Sequence, residues 1–130
     1  MLELPTVAIV DDDEAVREAL ADLMTVSGLS CCQFGEADSF LAALLTRSFD
    51  CLVTDIRMPG MSGIELIQQL REQSLDLPVI VLSSVLDQQT RTHAFSLGAR
   101  EWFCKPVSDE QLLAAIASAI GDVPCSKGSP

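Results

Sequence analysis

"CLVTDIRMPGMSG", residues 51–63, opens as an apolar run and stops at an aspartate. Cys51, Leu52, Val53 and Thr54 have the make-up of a strand covered on both faces, as strands of parallel sheets are. Asp55 ends that run, and Pro59, Gly60 and Gly63 mark a loop behind it. A carboxylate delivered at the end of a buried strand needs a reason, and the neighbouring segments supply it.

Four further apolar runs share the character of residues 51–54: Val7–Val10, Leu29–Phe34, Val79–Leu82 and Trp102–Cys104. Between them the apolar period changes to that of a helix. Val16, Ala19, Leu20, Leu23 and Met24 form one stripe, and Ala37, Phe40, Leu41, Leu44 and Leu45 a second. Leu66, Ile67 and Leu70 make a third, and Leu112, Leu113, Ile116 and Ile120 the last. Residues 88–97 read as a weaker helix carrying Ala94, Phe95 and Leu97. Gly28, Gly98 and Gly121 follow helical stretches, where a left-handed cap is expected. Ser62 with Glu65, and Ser108 with Gln111, have capping-box spacing. Strict alternation predicts an α/β, doubly wound (βα)5 sandwich with right-handed crossovers. The segment 122–130, rich in Gly, Ser and Pro without periodicity, reads as a flexible tail or linker stub after a single domain at 1–121.

The totals narrow the function. The chain has 130 residues, enough for one domain with a real core. Its net charge of −11 argues against direct nucleic-acid binding, which needs a basic face. No apolar run is long enough to span a membrane and no basic signal-peptide start is present, so the expected location is cytoplasmic. The five cysteines show no CxxC or Cys/His metal spacing and read as reduced. Cys31, Cys51 and Cys104 sit in apolar runs, where a thiol behaves as a small hydrophobe. His93 is the only histidine, which leaves a triad or His-based metal site unsupported.

In a sheet of this kind ligands gather beyond the carboxyl ends of the strands. There the sequence places Asp11, Asp12 and Asp13, then Asp55, then Ser83 and Ser84, then Lys105 and Pro106. Each alone has a plain explanation: aspartates cap helices, and hydroxyls satisfy themselves in cores. Together they form one acidic crevice with a hydroxyl and an ammonium. Two carboxylates ~5 Å apart repel by about 3 kcal/mol at an effective dielectric of ~20. A cation relieves that repulsion, and oxygen ligands with room for water suit Mg²⁺. A carboxylate is also a nucleophile toward phosphorus, giving an aspartyl phosphate. Charge neutralisation and positioning are most of what such a transfer needs.

At these residues the chain resembles a response-regulator receiver domain of two-component signalling, a CheY-like module. "VAIVDDDEAVR", "LVTDIRMPGMSG", "PVIVLSS" and "CKP" each match a family motif in order across residues 6–120. The resemblance implies a parallel sheet of order 2-1-3-4-5, the flavodoxin-like arrangement. It implies that Asp55 accepts a phosphoryl group from a sensor histidine kinase. Mg²⁺ would be held by Asp12, Asp55 and the Arg57 backbone carbonyl, with Asp11 acting through water and Asp13 as a cap. Lys105 would pair with Asp55 or its phosphate ahead of a cis bond to Pro106. Ser83 would be the switching hydroxyl, and Pro59 and Gly63 would shape the loop. Trp102 matches the aromatic switch position, where its bulk is expected to restrict inward rotation. The readout surface would be the fourth helix, fifth strand and fifth helix. The wording "DIRMPGMSG" is similar to receivers joined to LuxR-type helix-turn-helix output domains. That implies a DNA-binding output domain in a longer protein and a homodimer formed on phosphorylation; a stand-alone receiver is the variant within the family.

Two other classes fit less well. A haloacid-dehalogenase-like Mg-dependent phosphatase also uses an aspartyl nucleophile. Asp11 and Asp13 have its spacing, but Ala15 stands where threonine or valine belongs. An EF-hand loop starting at Asp11 would need a glycine at Val16 and a glutamate at Asp22.

Overall fold

The structure is a computed structural model and describes residues 4–84 and 87–121. The expected tail at 122–130, with Cys125, lies outside the described residues. Five strands alternate with five helices: β1 Thr6–Val10, α1 Glu14–Val26, β2 Ser30–Phe34, α2 Ala37–Leu44, β3 Cys51–Thr54, α3 Gly63–Glu72, β4 Val79–Ser83, α4 Gln88–Ser96, β5 Glu101–Cys104 and α5 Asp109–Gly121. All pairings are parallel and the sheet order is β2-β1-β3-β4-β5, the doubly wound arrangement that the sequence predicts. No described helix is long and apolar enough to cross a membrane.

The strand alternation divides the core into two layers. Ala8, Val10, Leu52, Val79 and Val81 face Phe40, Leu66, Leu70 and Ala94. Val7, Ile9, Val53, Ile80 and Leu82 turn to the other side, onto Met24, Leu112 and Ile116. β1, β3 and β4 are therefore covered on both faces, which explains their unbroken apolar sequence. β2 and β5 are the edges and carry exposed residues.

Helix ends follow local chemistry. Asp13 caps α1 by accepting from the Ala15 and Val16 amides, as expected of it. Ser62 and Glu65 close a complete capping box on α3. At the start of α5, Ser108 Oγ accepts from the Gln111 amide at 3.1 Å. Gly28 and Gly98 take positive φ values of 80° and 96° behind α1 and α4. Gly121 departs from expectation: it is the last residue of α5, not a left-handed cap. Val16 and Asp22 lie inside α1, so no EF-hand loop forms there.

Candidate functional site

Four segments meet where the strands end. Asp11 leaves β1 with its amide bonded to the Phe34 carbonyl at 3.1 Å. Asp55 leaves β3 with its amide on the Val10 carbonyl at 3.0 Å. The ladder thus runs one residue beyond β1 and β3 and holds both aspartate backbones rigidly side by side. Thr54 Oγ1 donates to the Asp55 carbonyl at 2.9 Å, and the Asp55 Oδ1 atom accepts from the Ile56 amide at 2.7 Å. Asp11 Oδ1 likewise accepts from the Asp13 amide at 2.9 Å. Each carboxylate keeps its second oxygen for the crevice.

Lys105 takes both of those oxygens. Its ammonium donates to Asp11 Oδ2 at 2.8 Å and to Asp55 Oδ2 at 3.1 Å. The lysine lies one residue past β5, where its amide bonds the Ser83 carbonyl at 2.9 Å. Burial opposes the ammonium charge, but the hydrogen bonds and charges of the two aspartates outweigh it and raise the Lys105 pKa. The Lys105–Pro106 peptide is cis, as the resemblance implied. One oxygen each of Asp11, Asp12 and Asp55 lies within 4.8 Å of the others, close enough for one divalent cation to take an oxygen from each. Asp11 and Asp55 are buried whereas Asp12 is exposed, so the cluster opens to solvent on one side.

The other expected residues are distributed around this cluster. Ser83 ends β4, buried at 1% exposure. Arg57 and Pro59 are exposed in the loop after Asp55. Gly63 packs against the backbone of Asp55 and Ile56, so tightly that an added Cβ would stand 2.9 Å from Ile56 Cα. This explains the glycine at the far end of the opening stretch: it lets α3 begin directly against the backbone that follows β3.

One expectation on β5 is corrected, that of Cys104. Trp102 is tucked into the core at 8% exposure, beside Val81 of β4. Among the described residues its Nε1–H has no acceptor. Cys104 is exposed, not a packed hydrophobe, because the edge strand has no cover at that position. One residue of the site escaped the sequence reading. Arg17 donates to the Asp11 carbonyl at 2.7 Å and so fixes the turn that carries Asp11 and Asp12. A signal existed in its place one turn into α1 after an acidic run, but an arginine there reads equally well as a solvated charge.

Comparison with known proteins agrees with this geometry. Residues 7–117 match the family described as response regulator receiver domain. The chain is 40% identical over 121 residues to the transcriptional regulatory protein FixJ of Azorhizobium caulinodans, covering 93% of this chain and 57% of that protein. It is 38% identical over 112 residues to the DNA-binding transcriptional regulator NtrC of Klebsiella pneumoniae, covering 86% of this chain and 24% of that one. A crystal structure of FixJ-N superposes with a TM-score of 0.87 at 35% identity, covering 95% of this chain and 99% of that one. The chain spans little more than half the length of the FixJ protein it matches. None of this supports a phosphatase of the haloacid-dehalogenase type. By the family match over residues 7–117, this chain belongs to the response-regulator receiver domains of two-component signalling.

Proposed function

We propose that Asp55 is the phosphoacceptor of this receiver and that a sensor histidine kinase is its donor. The observation that carries the reading is Lys105, whose ammonium binds carboxylates 94 and 50 residues away in the chain. An ammonium held between two aspartates at a strand rim neutralises charge where a phosphoryl group would add more. In the transfer, an Asp55 oxygen bonds to phosphorus as the phosphorus–nitrogen bond of the phosphohistidine breaks and the imidazole leaves. Lys105 then pairs with a phosphoryl oxygen, and Ser83 turns its hydroxyl toward another.

Asp12, Asp55 and the Arg57 carbonyl would hold Mg²⁺, with Asp11 acting through water. The donor set fits, being oxygen-only and open to water on the Asp12 side. When bound, the ion neutralises the charge that gathers on the transferred group. Release of Lys105 from Asp11 would shift the domain between two conformations. Raising a 1:99 population to parity needs about 2.7 kcal/mol of differential stabilisation. Charge-assisted hydrogen bonds to the phosphate can supply that. Trp102 and the surface of α4, β5 and α5 would carry the change onward in the cytoplasm. The receiver of a longer transcriptional regulator is the favoured setting, because the FixJ and NtrC relatives are so named. A LuxR-type DNA-binding output and a phosphorylation-dependent homodimer belong to that setting.

The test uses beryllofluoride with Mg²⁺ while Trp102 emission is followed. The parent chain should show an Mg²⁺-dependent change that Asp55→Asn lacks. An equal response in the variant removes Asp55 from the role. Lys105→Ala should still take up phosphate from acetyl phosphate but shift Trp102 emission weakly. Failure to be labelled would place Lys105 in the transfer step itself.

A further inference from the structure

Arg71 stands in the last turn of α3, on the side of the sheet where chains enter the strands. Its guanidinium is spent on backbone carbonyls. Nε donates to Leu97 O at 2.7 Å and Nη2 to Gly98 O at 3.3 Å. Nη1 donates to Leu75 O at 2.8 Å and Leu77 O at 3.2 Å. Leu97 is the C-cap of α4, while Leu75 and Leu77 belong to the connection into β4. One planar cation therefore ties the C-terminal end of α4, where the helix dipole favours positive charge, to the connection between α3 and β4. Burial pulls the Arg71 pKa down, against the attraction of Asp76, consistent with a partly desolvated guanidinium.

The opposite end of α4 is held differently. Its first turn borders a cavity of about 470 Å³ lined by Asp87, Gln88, Arg91, Trp102 and Cys104. Along the helix only Ala94 is fully buried, and Phe95 is 38% exposed. Among the described residues, apolar packing thus fastens α4 weakly, and the Arg71 hydrogen bonds fasten its C-terminal end.

We infer that Arg71 is the pivot of α4: the helix is pinned at its C-terminal end, and its first turn moves over Trp102 when Asp55 changes state. The inference rests on the proposed role of Asp55 and adds how the change is steered. A swing about a fixed end changes the α4–β5 surface most near Trp102 and Cys104. The α3–α4 junction stays in place.

Amide hydrogen exchange on the whole chain, with and without beryllofluoride and Mg²⁺, tests this. In the parent, residues 88–92 should change exchange rate by at least about threefold while residues 97–99 hold steady. Arg71→Gln should free residues 97–99, spread the beryllofluoride effect along α4, and reduce the Trp102 emission change by roughly half or more. Arg71→Lys should recover part of it. Gly98→Ala is a second, independent variant. An added Cβ there would meet Arg71 Nε at 3.1 Å and Nη2 at 3.2 Å at a φ of +96°, which dislodges the guanidinium without deleting it. It should reproduce the Arg71→Gln pattern. Equal beryllofluoride effects at both ends of α4 in the parent, or a full Trp102 response in both variants, would overturn the pivot. A parent chain silent to beryllofluoride throughout would overturn the role of Asp55 first, and the pivot with it.

Discussion

Lys105 carries the charge balance of the cleft at the scale of single residues. Its side chain is 21% exposed, against 4% for Asp11 and 11% for Asp55, so the pairs are mostly shielded from solvent. Hydrogen bonds to charged groups contribute about 1.5–3 kcal/mol, and partial exposure puts these toward the lower end. Lys105→Met should therefore lower stability by about 2 kcal/mol in metal-free buffer. Added Mg²⁺ should restore part of that loss, because the ion takes over neutralisation of the carboxylates. Urea unfolding with chelator and with Mg²⁺ reads both effects; an equal loss in the two buffers would separate Lys105 from the proposed metal site. The aspartates and the lysine were legible in the sequence because each follows an apolar run, so the topology alone brings them to one rim. Arg17 and Arg71 were not. A charged residue on a helix looks solvated until tertiary contacts show which carbonyls it reaches.

Among the elements, the loop from Asp55 to α3 is tightly constrained where Gly63 meets the Asp55 and Ile56 backbone. Gly63→Ala forces a methyl into the backbone of Asp55 and Ile56, which has no flexible side chain to give way. The variant should lose several kcal/mol of stability, or fail to fold, since main chain rather than a rotamer must move. Ser62→Ala one residue earlier removes only the cap and should cost about 1 kcal/mol. Thermal unfolding of the two side by side checks the contrast; similar losses would mean that Gly63 is not closely packed. Strands β1, β3 and β4 were readable because burial on both faces leaves no polar alternation to confuse them. β5 was the hard case. Its pattern of exposed, buried, half-buried and exposed residues depends on how much of the edge α4 covers. The apolar run gave no hint that Trp102 would be inside and Cys104 outside.

The whole molecule has a built-in alkaline limit. Cys51 lies fully buried beside β1 and its thiol is pushed up to about 12, chiefly by desolvation. In the unfolded chain it ionises near its ordinary value of 9.0. Between those values the unfolded state releases a proton that the folded state retains, so stability falls as pH rises through that window and is untouched below it. The raised pKa of Lys105 acts in the same direction above its ordinary 10.5, since its paired charge is complete at neutral pH. Cys51→Val should flatten the decline of the thermal midpoint above pH 9, as its ordinary value predicts; an unchanged slope would remove the thiol as the cause. A thiol reagent at neutral pH should label exposed Cys104 well before Cys51. The event proposed for the strand rim is the transfer of one phosphoryl group to Asp55. Its most direct test is intact-mass measurement after incubation with acetyl phosphate and Mg²⁺. The parent should gain a single phosphoryl group that hydroxylamine removes, and Asp55→Asn should gain none. Labelling of Asp55→Asn to the same extent, or of the parent without Mg²⁺, would contradict the account.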